Sequence, residues 1–281
     1  MKYGFFPGCT YSSSAGYKES TEAVSKILGT ELIEIVDWNC CGATSYWSTQ
    51  DITAYVLPAR IMALAEKQNL KQIVNVCNAC YSTLRKAKEK LSKDNKLLET
   101  VNIALAEEGL KYSQQVVIRH YLEVIVNDLE PDDIKKHVTV DIKDIMVAPY
   151  YGCQLNRPWG DLDNPHYPTM LDRLCSILGA GVLSDYSAKT SCCGAACIMP
   201  YNKDCLPLNQ RIVSDAVNKG AQVISTICPL CQLNVDASQL KLKLSKIPVL
   251  YFTQLMGLAF GFSEKQLGMQ KLIVPFKLAE G

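Results

Sequence analysis

The sequence predicts an α/β chain of two tandem, internally duplicated domains, and three observations carry that prediction. The chain has 281 residues, room for two domains of about 140 residues, each of ordinary size for a unit with its own core. The same cysteine punctuation occurs twice. Phe6-Pro7-Gly8-Cys9, Cys40-Cys41-Gly42-Ala43 and Cys77-Asn78-Ala79-Cys80 are answered by Tyr150-Tyr151-Gly152-Cys153, Cys192-Cys193-Gly194-Ala195 and Cys228-Pro229-Leu230-Cys231. Cys153 follows Cys9 by 144 residues and the other four cysteines recur at 151 or 152, so the halves differ mainly by one loop insertion. Between these elements short β-rich runs alternate with segments of helical length, the pattern of a parallel sheet with crossover helices. Each half therefore reads as a Rossmann-like unit with its cysteine loops at the C-terminal ends of the strands.

In the first half, 2–6, 31–36 and 72–76 are predicted strands, each ending shortly before a cysteine element; 17–28, 52–68 and 81–91 are predicted helices. The second half repeats this with strands at 145–150, 181–186 and 221–227 and helices at 167–178, 206–218 and 230–240. Three strand ends then deliver one, two and two cysteines to one crevice per half, where sites gather in open parallel sheets. Gly8, Gly42, Gly152 and Gly194 stand beside these cysteines, suiting tight loops that pass close to a bulky group.

The stretch 93–144 is charged, with a predicted strand and helix over 116–126 and an acidic turn at Glu130-Pro131-Asp132-Asp133. The expected division is a first domain at 1–110, a connector at 111–144 and a second domain at 145–281. Beyond Cys231, 247–262 reads as a last strand and a buried helix headed by Pro248.

Composition narrows the function. Apolar residues make up 48% and charged residues 20%, with a net charge of +1, which fits a globular protein and argues against a nucleic-acid partner. The N-terminus lacks the apolar stretch and cleavage pattern of a signal peptide, and the apolar tract 248–262 is too short and interrupted to cross a bilayer, so a cytoplasmic protein is expected. Thirteen cysteines are a large excess in a reducing compartment, where metal binding or redox chemistry is the better reading than stored disulfides.

Thiolates are soft ligands for zinc, copper(I) or iron–sulfur clusters. Zinc closes with four ligands and a cubane cluster takes four cysteines, whereas the repeat supplies five twice over. An opened, non-cubane cluster would use all five. A zinc site leaves the fifth ligand and the glycine loops unexplained, a thioredoxin-like dithiol at Cys77 and Cys80 does not need the adjacent Cys pair, and vicinal disulfides are strained.

Cys175, Cys197 and Cys205 stand outside the repeat. Cys175 falls among Leu171, Leu174 and Leu178 as a buried small residue, and Cys197 is the one outsider close to a cysteine pair. Arg60 and Arg211 recur seventeen residues before each CxxC, either as surface residues kept by shared ancestry or as donors to the cysteine loop. His120, His137 and His166 form no site by sequence; His120 is either a structural histidine or a proton donor in the cleft.

The pattern of Cys9, Cys40, Cys41, Cys77 and Cys80, repeated as Cys153, Cys192, Cys193, Cys228 and Cys231, resembles the doubled cysteine-rich CCG domain of the heterodisulfide reductase B-type family. The similarity extends through Tyr151-Gly152-Cys153-Gln154-Leu155 with Arg157, through Asp163-Asn164-Pro165 and through 248–261, covering essentially the whole chain. The resemblance implies two non-cubane 4Fe–4S clusters, the first five cysteines holding one and the second five the other. It further implies a disulfide, in methanogens the coenzyme M–coenzyme B heterodisulfide, cleaved to two thiols between them.

Implied partners are a small C-type subunit with cubane clusters and a flavin-containing A-type subunit, with a hydrogenase or formate dehydrogenase module further upstream and membrane association through such partners. Where methanogen members carry Pro after the first cysteine pair this chain has Gly42, and 43–47 also differs, which bears on the identity of the disulfide. The alternative, from a different class, is the E-type iron–sulfur subunit of succinate:quinone or fumarate reductases, which shares the doubled domain and exchanges electrons with quinone. A third is an electron relay without a substrate of its own.

Overall fold

A strand covered by helices on both faces must be apolar throughout rather than alternating, and the inner strands of this chain are. In the computed structural model, which describes residues 1–43, 52–197 and 201–277, β1 (Lys2–Phe6) is buried after its first residue. The first half continues with α1 (Tyr17–Ile27), β2 (Glu31–Glu34), α2 (Thr53–Lys67), β3 (Gln72–Asn75), α3 (Asn78–Lys93), α4 (Asn95–Ala106), β4 (Val117–His120), α5 (Tyr121–Asp128) and α6 (Pro131–Lys135). The second half runs β5 (Met146–Tyr150), α7 (Met170–Ile177), β6 (Gly181–Val182), α8 (Asn202–Asn218), β7 (Val223–Thr226), α9 (Pro229–Ser238), β8 (Val249–Tyr251) and α10 (Phe252–Ala259).

Each half forms a four-stranded sheet with every pairing parallel, in the orders β2-β1-β3-β4 and β6-β5-β7-β8. The two orders are the same, so the duplication read from the cysteines extends to the topology. The α/β class with tandem Rossmann-like units stands.

Several elements differ from the expectation. β4 lies within the segment read as a connector, yet it pairs with β3 from Gln72↔Val117 to Asn75↔His120. It is the fourth strand of the first sheet, as β8 is of the second. The charged stretch also contains α4, started by Asp94, whose carboxylate accepts from Leu97 N at 3.1 Å. The helix expected at 81–91 begins at Asn78, so the CxxC sequence forms its first turn. β6 spans two residues rather than the six expected: Leu183 N still donates to Val147 O at 2.9 Å, after which the chain turns away and buries Tyr186, whose hydroxyl donates to Ile212 O.

The halves are joined by a packed seam. Tyr17 of α1 stacks on Tyr251 with ring centroids 3.8 Å apart and planes 3° apart, a contact of about 1 kcal/mol beyond its burial. Ser20 and Thr253 share a hydroxyl hydrogen bond of 2.7 Å. The C-terminal segment returns to the first half. Gly16 (φ +76°) meets it so closely that a Cβ there would lie 2.2 Å from Leu267 O, and Gln254 Nε2 donates to both Ala15 O and Leu267 O.

Candidate metal centre

Every cysteine of the repeat lies beyond the carboxyl end of a strand. β1 and β5 run into Pro7-Gly8-Cys9 and Tyr151-Gly152-Cys153, β3 and β7 into Cys77 and Cys228, and the pairs Cys40-Cys41 and Cys192-Cys193 follow β2 and β6. Cys77 and Cys228 are the N-caps of α3 and α9, with extended backbone at φ −128° and −135°. In both halves the CxxC sulfurs therefore sit at a helix N-terminus, where free N–H groups and the helix dipole favour thiolate.

The sulfurs approach one another in pairs. Cys9 and Cys40 are 3.9 Å apart, Cys41 and Cys80 3.4 Å, Cys193 and Cys231 3.7 Å. Cys153 faces Cys192 in the same way. A further pair crosses the seam: Cys77 Sγ and Cys228 Sγ are 4.0 Å apart. The two five-cysteine sets thus face each other. Cys41, Cys77, Cys80, Cys193, Cys228 and Cys231 are buried, Cys153 is half-buried, and Cys9, Cys40 and Cys192 reach solvent.

Crowding dictates the protonation. Buried sulfurs this close cannot all be anions without a cation among them, so protons are shared. The Cys41 and Cys9 thiols beside it pull Cys40 down, and the Cys153 thiol, with Gly194 N–H and Arg157, brings Cys192 down to about 6. Cys9 and Cys153 rise correspondingly, each ceding the thiolate to its neighbour and pushed up further by burial. Across the seam Cys228 falls, through Cys231 first and then Cys77, while Cys77 rises against Cys228.

The loops leave room for a bulky group. A Cβ on Gly8 (φ +74°) would lie 2.9 Å from Cys80 Sγ, and one on Gly152 (φ +67°) 2.8 Å from Cys231 Sγ. A cavity of about 60 Å³ is walled by Cys153, Cys192, Cys193, Cys228 and Cys231 together with Ala43, Asn78 and Ala79 of the first half. Among the described residues no three His, Cys, Asp or Glu side chains converge as one metal ion requires. A polynuclear cluster takes its thiolates around a perimeter instead of at a point, and the paired, two-sided donor set fits such a group.

Supporting residues divide unequally between the halves. Arg60 donates to Asp37 O at 2.6 Å and to Asn39 Oδ1 at 3.3 Å, and pairs with Asp37 and Glu108, so it is a donor to the loop ahead of Cys40. Arg211 is exposed on α8. In the second half Lys189 is fully buried, donating to Asp172 Oδ1 at 2.7 Å and Pro168 O at 3.0 Å beneath the rings of Tyr167 and Tyr151. The Lys189 carbonyl accepts from Tyr151 N and Gly152 N, which fixes the loop carrying Cys153.

Among the outsiders, Cys175 is core as expected and Cys197 is exposed in the turn after the second pair. Cys197 N donates to Gly194 O at 2.8 Å, and Cys205 Sγ lies 3.3 Å from the same carbonyl. His120 is buried, with Nδ1 accepting from Leu122 N to cap α5 and burial lowering its pKa to about 4. It stands at the end of β4 as the N-cap of α5. Residues 44–47 of the first-half loop lie outside the described residues.

Sequence reasoning did not pick out Tyr17 or Asn78 as site residues. The Tyr17 hydroxyl lies 2.8 Å from Val76 O and 3.3 Å from Ile227 O, the carbonyls just before Cys77 and Cys228. Asn78 Nδ2 donates to Tyr151 O at 2.7 Å. The contacts with Ile227 O and Tyr151 O cross between the halves and the one with Val76 O spans 59 residues, so no local pattern could have marked them.

Comparison with known proteins converges on the same duplication. The cysteine-rich domain model named CCG matches residues 3–85 and 147–236. The 8-methylmenaquinol:fumarate reductase membrane anchor subunit of Wolinella succinogenes is 31% identical over 97% of this chain and 97% of its own length. The B-type subunit of the ferredoxin/F(420)H(2)-dependent CoB-CoM heterodisulfide reductase of Methanosarcina acetivorans is 30% identical over 96% of this chain and 93% of its own. An Archaeoglobus profundus protein similar to the heterodisulfide reductase B-type subunit is 28% identical over 95% and 93%. Among solved structures, a hypothetical protein from Helicobacter pylori superposes with a TM-score of 0.76 over 98% of this chain, which spans about half (52%) of that one; at 13% identity the likeness concerns the fold.

Proposed function

We propose, on the premise that this chain belongs to the cysteine-rich CCG domain family and carries the domain twice, that it is the catalytic iron–sulfur subunit of a heterodisulfide reductase-type complex. Its reaction is the two-electron reduction of a disulfide, the coenzyme M–coenzyme B heterodisulfide or a related one, to two thiols. Cys9, Cys40, Cys41, Cys77 and Cys80 hold one cluster and Cys153, Cys192, Cys193, Cys228 and Cys231 the other. The observation that carries this reading is the approach of Cys77 and Cys228 to 4.0 Å, which brings the two donor sets face to face.

Two non-cubane 4Fe–4S clusters bound there supply one electron each and soft iron able to take a thiolate sulfur. What the chain contributes is position. Gly8 and Gly152 keep the backbone clear of Cys80 and Cys231, the first half walls the second site through Ala43, Asn78 and Ala79, and Tyr17 ties both CxxC loops to one hydroxyl. Electrons reach it from a C-type subunit with cubane clusters, fed by a flavin-containing A-type subunit, and with no helix among the described residues long and apolar enough to cross a membrane, membrane association runs through partners.

One observation favours a second reading: a relative matching over nearly the full length is the membrane anchor subunit of an 8-methylmenaquinol:fumarate reductase, which supports electron exchange with a quinone. Parallel anaerobic assays separate the two. Disulfide-dependent oxidation of a reduced viologen, without oxidation by a menaquinone analogue, supports the disulfide reading; the reverse pattern replaces it.

A further inference from the structure

The insertion that distinguishes the halves falls in one loop. α1 begins at Tyr17, eight residues after Cys9, whereas α7 begins at Met170, seventeen after Cys153. The added chain therefore lies in 154–169, all of it loop. It starts at the cavity wall, where Cys153 and Gln154 stand. Arg157 ties it to the approach of the second cysteine pair, donating to Thr190 Oγ1 at 2.9 Å and to Pro165 O at 3.1 Å.

The middle of this loop crosses to the first half. Arg85 of α3 grips Asp161 through two bonds of 2.9 and 2.7 Å, and its Cζ lies 4.3 Å from the ring centroid of Trp159. Trp159 Nε1 donates to Glu89 Oε2 at 2.6 Å. Asn78, which donates to Tyr151 O, Arg85 and Glu89 are spaced along one face of α3. Around these fastenings the contact is open, a groove of about 520 Å³ being lined by Tyr81, Arg85, Glu89, Trp159, Asp161 and Leu162 among others. At the repeat offset of 151, α9 has Asp236 and Leu240 in place of Arg85 and Glu89. Asp236 is buried and accepts from Ile273 N and Val274 N, so the second half returns no such grip. Cys153 is half-buried where its counterpart Cys9 is exposed.

We propose that 154–165 is a strap across the second-half centre and that Arg85 is its latch, a positioning residue through which the first half governs access to that centre. This rests on the reading that the second five cysteines hold a cluster. A guanidinium stacked on an indole and paired two-pronged with a carboxylate fixes direction as well as distance. The Asp161 side chain is nevertheless 60% exposed, and an ion pair so open to water is weak. The latch thus favours the closed strap and still releases it, with the groove beside it leaving room to move.

The test is removal of iron from the full chain, purified anaerobically with its clusters, by the bulky ferrous chelator bathophenanthroline disulfonate. EPR follows which centre is lost, and Cys192→Ser marks the second-half signal by perturbing it. Arg85→Ala and Asp161→Asn each unlatch the strap, the second at an exposed residue outside the core, and the reversed pair R85D/D161R restores the latch. Either single variant is expected to lose iron from the second-half centre about tenfold faster than wild type, the combined effect of an exposed ion pair and a cation–π contact, with the reversed pair within about twofold of wild type. The first-half centre is expected to lose iron at the wild-type rate throughout.

Equal acceleration at both centres, as a general loss of stability would give, overturns the proposal while leaving the cluster assignment intact. So does no acceleration at wild-type iron and sulfide content, or a reversed pair that loses iron as fast as the single variants. Wild-type protein lacking iron and sulfide would overturn that assignment, and this proposal with it.

Discussion

Cys77 Sγ and Cys228 Sγ lie 4.0 Å apart, one from each half, with the Tyr17 hydroxyl within hydrogen-bonding distance of the carbonyls immediately before both. Two sites that the repeat would place in separate domains therefore share a wall. Cys77→Ala is expected to disturb the EPR signals of both centres, whereas Cys9→Ala, at the exposed rim of the first set, disturbs one. Independent behaviour of the two signals in C77A would contradict the shared wall.

Tyr17 can be dissected in two steps. Tyr17→Phe keeps the ring on Tyr251 but removes a buried donor from two carbonyls, which should cost about 1–3 kcal/mol in urea unfolding. Tyr17→Leu also loses the stack and should cost more. If Phe is as stable as Tyr, the hydroxyl does not tie the two loops together.

Lys189 is a buried cation whose partner, Asp172, also accepts from the Tyr151 hydroxyl. Lys189→Met strands that carboxylate, and a loss of about 3–5 kcal/mol is expected, with cluster content falling in the second half first because the lost side chain anchors the backbone whose carbonyl holds the loop of Gly152 and Cys153. The double variant K189M/D172N should recover part of the loss, measured by denaturant unfolding beside iron content.

Gly152→Ala puts a methyl 2.8 Å from Cys231 Sγ at a positive φ. Because the clash falls on the sulfur of a proposed cluster ligand, the variant should fold, by circular dichroism, yet bind roughly half the iron of wild type. Full iron content would show that the loop has space the geometry denies it.

Acid stability has a traceable contributor in Asp128. Its carboxylate accepts from Arg119 and from the Tyr3 hydroxyl at 2.7 Å, and Arg119 beside it holds its pKa below the ordinary 3.8. The native state thus binds fewer protons there than the unfolded chain. Its contribution is complete above about pH 4 and is lost as the pH falls through the lowered native value. Asp128→Asn should be less stable near neutrality and should show a shallower acid limb; an unchanged limb would mean that Asp128 contributes nothing to acid unfolding.

The duplicated α/β architecture and the ten clustered cysteines were legible in the sequence, because apolar runs, glycine loops and cysteine spacing are local signals. β4 was legible as a strand within 116–126, but its place as the fourth strand of the first sheet was not, because Val117–His120 is short, carries Arg119 and His120, and joins the sheet only through pairing with β3. β6 was overestimated because Val182, Leu183 and Tyr186 offer strand-like side chains, but the chain turns after Leu183 to bury Tyr186. Asn78, Tyr17 and Lys189 act through partners far away in the chain, and Cys205 drew less notice than Cys197 although its sulfur also reaches Gly194 O. A single sequence carries no mark of such contacts.

The most direct test of the central claim is iron and acid-labile sulfide analysis of anaerobically purified protein, with EPR before and after addition of a candidate thiol. Two clusters predict about eight irons with matching sulfide per chain, and a signal that the thiol perturbs. Zinc without sulfide, or about four irons held entirely by one half, would contradict it.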